Sequence, residues 1–176
     1  MCAQFELEQS MFTEKMKKLS LDTTDFSFNH RILPHSKTPV LIKNESKLAI
    51  ISMNFSLIPW WSKDKKPKFA THNARLETIK EKPTWKNIFG KKHCLVPMTS
   101  FIEPIYEGEY AGNMVKFNLN DCIFVPALFD TWSDKGTGEI LDSFAVLTSE
   151  PPPFVAQCGH DRSVRSQRQL DWSQSP

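Results

Sequence analysis

The chain has 176 residues, 40% hydrophobic and 24% charged, with 22 basic against 20 acidic side chains for a net charge of +2. That length suits one domain with a substantial core, and the composition excludes a disordered or fibrous chain. A near-neutral balance also excludes a protein that binds nucleic acid through bulk charge, so any such surface must be local.

No apolar run approaches the roughly 18 residues of a membrane helix. The N-terminus lacks the basic-then-apolar layout of a signal peptide, so a reducing, cytoplasmic setting without membrane attachment is expected. The four cysteines, Cys2, Cys94, Cys122 and Cys158, form no C-x-x-C pair and no zinc spacing. Cys158-Gly159-His160 is too tight for half of a zinc motif, and neither a metal nor another cofactor is expected. Cys94 and Cys122 lie in apolar runs and read as buried small hydrophobes.

In chain order, Glu8 to Leu19 has the spacing of an amphipathic helix, with Met11, Phe12, Met16 and Leu19 roughly on one face. Pro34 and Pro39 interrupt the chain before a strand-like run, Val40-Leu41-Ile42. Leu48 to Ile58 is a second such run, stopped by Pro59. Lys63 to Lys68 is a basic loop, and Pro83 to Phe89 reads as a short helix that Gly90 stops. Short strands are expected at Cys94–Pro97, Met114–Leu119, Cys122–Leu128 and Ser143–Thr148, with a turn at Asp134–Gly138. Many short strands and a few helices imply an α+β domain with a strongly curved antiparallel sheet or β-barrel core. The stretch after Arg162 is polar and aperiodic and reads as a frayed tail, which divides the chain into a domain over 1–162 and a tail over 163–176.

Cys2 is the residue with the most distinctive chemistry. Once Met1 is removed, it carries a thiol beside a free α-amine, a 1,2-aminothiol that condenses with aldehydes. The amine forms a Schiff base and the thiol closes on it to a thiazolidine. The ordinary pKa values, about 8 for the amine and 8.5 for the thiol, leave both groups within reach of activation near neutrality.

Other segments answer it in order: Phe55-Ser-Leu-Ile-Pro-Trp-Trp61, Asn73-Ala-Arg-Leu-Glu-Thr78, Cys94-Leu-Val-Pro97, Phe101-Ile-Glu103, Val146-Leu-Thr148 and His160-Asp-Arg162. The ordered set, headed by Cys2, resembles the SRAP family of SOS response-associated peptidases from Met1 to about Arg162. Members of that family shield abasic sites in single-stranded DNA.

The resemblance implies catalytic roles for Cys2, Asn73, Glu103 and His160. Cys2 would attack the ring-opened aldehyde of an abasic deoxyribose. Asn73 would hold the new N-terminus, although on its own it reads sooner as an Asn opening a loop after the basic segment. Glu103 would move protons during condensation and removal of Met1, its pKa raised by neighbours such as Phe101 and Ile102. His160 would assist opening of the sugar ring. DNA contacts would come from Trp60 and Trp61 by stacking, from Arg75 and Arg162 on phosphates, and from Thr148 on the sugar. Adjacent tryptophans are also consistent with one in the core and one partly exposed. The implied partner is single-stranded DNA containing abasic sites, bound by a monomer that is cytoplasmic and nucleoid-associated when on DNA.

The pattern is broken in four places. Ala3-Gln4 stands where the family has Gly-Arg, Phe55-Ser56 where it has Trp-Gly, and Pro104 where it has Trp. Ser163-Val164 stands where the family has Met-Pro and an apolar strand. Two other functions stay open at this stage: an N-terminal-nucleophile thiol amidase acting without DNA, and a degenerate, non-catalytic single-stranded DNA-binding module.

Overall fold

The apolar runs set the strands of the computed structural model, which describes residues 3–45 and 47–164. The chain runs β1 (Gln4–Glu6), α1 (Gln9–Lys18), β2 (Arg31–Ile32), β3 (Lys37–Asn44), β4 (Lys47–Phe55), β5 (Asn73–Arg75), β6 (His93–Pro104), β7 (Met114–Ser133), β8 (Ile140–Ser149), α2 (Pro153–Ala156) and β9 (Ser163–Val164). Among the described residues, nine strands form one sheet. Its pairing closes on itself in the order β6, β3, β4, β8, β7 and back to β6, with β1–β2, β5 and β9 attached outside that ring. The class is α+β in one domain, as expected. The sheet is mixed, however, because β4 and β5 both run parallel to β8. Among the described residues no helix is long and apolar enough to cross a membrane.

β6 explains the closure. Val96 to Glu103 is buried without interruption, which is the signature of a strand covered on both faces. Aromatic rings fill the interior: Phe5 packs edge-on against Phe55 at 5.4 Å, and Phe55 stacks on Phe144 at 5.3 Å. All three are fully buried, each contributing roughly 1.5–3 kcal/mol. Cys94 and Cys122 are buried as expected. Burial raises both thiols, Cys122 to about 12, so neither is a nucleophile.

Several local expectations are corrected. In α1, Phe12 and Met16 are buried, but Leu19 is exposed because it caps the helix instead of continuing its face. Pro83 to Phe89 is a series of turns, not a helix. Its bonds alternate between three- and four-residue spacing, as in Trp85 and Lys86 both donating to the Lys82 carbonyl. Thr84, Asn87 and Ile88 are weak helix formers, and Pro83 has no N–H to give. Gly90, at φ +81°, does end the segment. Met114–Leu119 and Cys122–Leu128 are one strand, since Asn120 adopts φ +56° and kinks β7 without ending it. β6 absorbs the kink through a register shift between Met98 and Ser100. Past Arg162, Ser163 and Val164 are buried and pair with Ser149 and Thr148, and residues 165–176 lie outside the described residues.

Candidate functional site

Glu103 is the penultimate residue of β6 and fully buried, flanked by buried Phe101 and Ile102. Burial is the main cause pushing its carboxyl from 4.5 up to about 7, and the charge of Asp161 acts in the same direction. A buried imidazole meets it: His160 Nε2 lies 3.2 Å from Glu103 Oε2. Burial lowers the His160 pKa, with Asp161 and a hydrogen bond to the Pro104 backbone opposing. Both shifts favour the uncharged forms, so the carboxyl exchanges its proton near neutrality beside a neutral imidazole.

The turn after α2 delivers His160. Gly159 there has φ +86°, and a Cβ on it would stand 1.9 Å from the Glu107 carbonyl oxygen. Only glycine fits so close an approach. Cys2 lies outside the described residues. β1 begins two residues after it, and Gln4 faces Ile102, so the N-terminal end of β1 leaves the sheet beside Glu103.

Asn73 and Arg75 share one face of β5, with buried Ala74 on the other. Parallel pairing sets Arg75 opposite Thr148 on β8. Thr148 is fully buried, and its hydroxyl has no hydrogen-bond partner among the described residues. Arg162 does not stand open to solvent as a phosphate contact would. It is 9% exposed, and its Nη2 donates to Glu77 Oε2 at 2.7 Å. Glu77 lies in the 3-10 turn Leu76–Thr78, directly after Arg75. The ion pair therefore ties the His160 segment to β5.

Trp60 and Trp61 are 61% and 44% exposed, so neither is a core residue. Their turn is laid across β7 and β8 by three ties. Ile58 N donates to Ser143 Oγ at 2.7 Å, Trp60 N donates to Asp130 Oδ2 at 3.0 Å, and Trp132 Nε1 donates to the Ser62 carbonyl at 2.8 Å. Asp130 and Ser143 are themselves cross-strand partners, and Lys92 neutralises Asp130 at 2.7 Å. The backbone is fixed while both indoles project outward. They line a cleft shared with Lys63, Trp132 and Lys135. This cleft adjoins the β7–β8 turn, whereas Glu103 pairs with Val115 near the start of β7.

The family model for SOS response associated peptidase (SRAP) matches residues 1–173. The chain belongs to the SRAP family. Among its relatives, abasic site processing protein YoaM of Bacillus subtilis is 28% identical over 172 residues, an alignment covering 92% of this chain and 73% of YoaM. Abasic site processing protein HMCES of Xenopus tropicalis is 25% identical over 157 residues, covering 72% of this chain and 47% of HMCES. A crystal structure of a protein from Bacteroides thetaiotaomicron shares the fold, with a TM-score of 0.75 at 20% identity over 96% of this chain and 78% of that one.

Within this SRAP chain, the structure adds residues that sequence reasoning missed. Glu77 stands in the Asn-Ala-Arg-Leu-Glu-Thr run but takes its meaning from Arg162, 85 residues away. Arg31 on β2 donates through Nε to Gln4 Oε1 at 3.0 Å. A guanidinium thus sits on the side chain where the family carries arginine. Ser56, where the family carries glycine, is buried at φ +85°. That conformation favours glycine.

Proposed function

We propose that this SRAP protein recognises an abasic site in single-stranded DNA and captures it as a covalent thiazolidine on Cys2, after its own removal of Met1. Relatives named abasic site processing proteins support the substrate. The observation that carries the chemistry is the buried Glu103–His160 pair, 3.2 Å apart, beside the end of β1 that leads to Cys2.

The abasic sugar is mostly a closed hemiacetal. His160, neutral at pH 7 because burial lowers its pKa, takes the proton of the C1′ hydroxyl as the C1′–O4′ bond breaks and returns it to O4′, giving the aldehyde and a C4′ hydroxyl. The Cys2 amine then adds to C1′. Glu103, at the edge of ionisation near neutrality, donates from its protonated form to the departing oxygen, and water leaves as the Schiff base forms. The Cys2 sulfur closes on the same carbon, and its proton passes to the nitrogen. No oxidant or metal enters the balance. Asn73 would hold the amine, and the same acid–base pair would serve hydrolysis of the Met1–Cys2 bond. Trp60 and Trp61, pinned but exposed, supply stacking faces for bases, each contact contributing roughly 1–3 kcal/mol.

The test is denaturing electrophoresis of Met-free protein incubated with single-stranded DNA carrying one abasic site. A slow band resistant to heat and detergent is expected, absent with intact DNA and with Cys2→Ala. Persistence of the band in Cys2→Ala, or its absence in the parent protein, overturns the reading.

A further inference from the structure

Immediately after Glu103 the chain leaves β6 through Pro104 and makes a closed turn over 105–113. Ile105 is buried and anchors it: Ile105 N donates to the Asn113 carbonyl at 2.9 Å, and Gly112 N donates back to the Ile105 carbonyl at 2.9 Å. The next residue, Tyr106, is held from the other side, its N–H donating to the Gly159 carbonyl at 3.4 Å. The glycine-only approach of Gly159 to Glu107 locks the two segments together. The Tyr106 ring consequently lies over His160, with ring centroids 5.6 Å apart and planes tilted by 31°. Yet it is 64% exposed, while His160 beneath it is buried.

An exposed aromatic ring fixed above a buried acid–base pair has one face for packing and one for a ligand. We infer that Tyr106 is a DNA contact of the lesion site, its free face taking the nucleobase that flanks the abasic sugar. This rests on the reading of the site as an abasic-site centre. The base beside a missing base has lost one stacking partner. A planar side chain at that position restores the stack, and so favours the lesion over an intact strand. Charge argues for a base contact instead of a backbone contact. Glu107 and Glu109 are exposed in the same turn and repel phosphates, so the strand approaches Tyr106 by its bases. Pro104 fits the same picture: the family carries an aromatic directly after the glutamate, and this chain presents one two residues later.

The experiment is equilibrium binding, by fluorescence anisotropy, to single-stranded DNA carrying one tetrahydrofuran abasic analogue. That analogue lacks the aldehyde and cannot be captured covalently. Tyr106→Ala and Tyr106→Leu are expected to bind about tenfold more weakly, within the range for loss of one stacked base, and Tyr106→Phe within about twofold of the parent. On a second DNA, whose two flanking nucleotides are also tetrahydrofuran, the parent should weaken and Tyr106→Ala should lose nothing further. The salt dependence should be the same for Tyr106→Ala as for the parent, because no phosphate contact is removed. An equal loss on both DNAs would mean that Tyr106 acts only by packing on His160, and overturns the inference. No loss on either DNA overturns it too. If the parent itself fails to prefer the abasic strand, the functional reading fails first, and that outcome is visible before any variant is compared.

Discussion

Replacing Glu103 by glutamine should make the protein more stable and slower to cross-link, with a stability gain that depends on pH. The carboxyl is fully buried, and its pKa rises from 4.5 in the unfolded chain to about 7 in the fold, chiefly through burial. Below pH 4.5 the group is protonated in both states and costs nothing. Between 4.5 and 7 the unfolded chain releases the proton while the folded one keeps it, so stability falls as pH rises and levels off above 7. At about 1.4 kcal/mol per pH unit, that interval corresponds to roughly 3 kcal/mol. His160 contributes in the opposite sense. Its folded pKa is lowered, so its contribution is lost as pH falls below its ordinary 6.5. Because His160 is present in both proteins, the effect of its own burial cancels in the difference between parent and Glu103→Gln, which reports the carboxylate and its coupling to the imidazole. Urea unfolding at half-unit steps from pH 4.5 to 8 should show that difference growing by roughly 3 kcal/mol in favour of glutamine. Over the same range, the cross-linking rate of Glu103→Gln should lose the limb that titrates near 7. A stability difference that stays flat with pH would refute the argument, because it would mean that the folded carboxylate is as well solvated as the unfolded one.

Ser56→Gly should raise stability by about 1 kcal/mol, or about 2–4 °C in Tm. It relieves a serine at φ +85° and removes a buried hydroxyl with no hydrogen-bond partner among the described residues, against the greater unfolded-state entropy of glycine. Ser56→Ala should gain less by thermal melting, since it keeps the strain, and an alanine gain larger than glycine's would refute the role of φ. Arg31→Gln should weaken binding to single-stranded DNA regardless of sequence and reduce the slope of log K against log salt by about 0.7. An unchanged slope would show that the guanidinium over Gln4 does not meet phosphate.

The strands were legible wherever the chain carried its signal locally. Val40–Ile42, Cys94–Pro97 and Ser143–Thr148 are apolar runs that lie in strands, and Leu48–Ile58 does so only up to Phe55, where Ser56 at φ +85° ends the strand. Asn120-Asp121 misled because polar residues between two apolar runs look like a turn. Asn tolerates φ > 0, so the strand kinks there and carries on. Pro83–Phe89 misled because Trp85 and Ile88 are buried at helical spacing although the backbone between them is a chain of turns. Within the site, the raised pKa of Glu103 was readable from Phe101 and Ile102 beside it. The ties that shape the rest join distant positions: Arg162 to Glu77, Tyr106 to His160, Asp130 to Trp60. No local pattern announces them.

The placement of Glu103 is itself an argument about function. β6 is buried on both faces from Val96 onward, and at that depth any apolar residue or an amide costs less than a carboxylate above pH 7. Burial outweighs the opposing charge of the N-terminus, Asp161 raises the pKa further, and the carboxyl stays at about 7 beside a His160 whose own burial disfavours its charged form. A structural ion pair would be built the other way, with a lowered carboxyl pKa, as Glu77 shows beside Arg162. One chain thus contains both kinds of glutamate. Glu77 is held ionised to fasten two segments, and Glu103 is held at the edge of ionisation beside an imidazole. Only the second arrangement gives up stability for a group able to give and take a proton at neutral pH, and it stands where β1 leads out to Cys2.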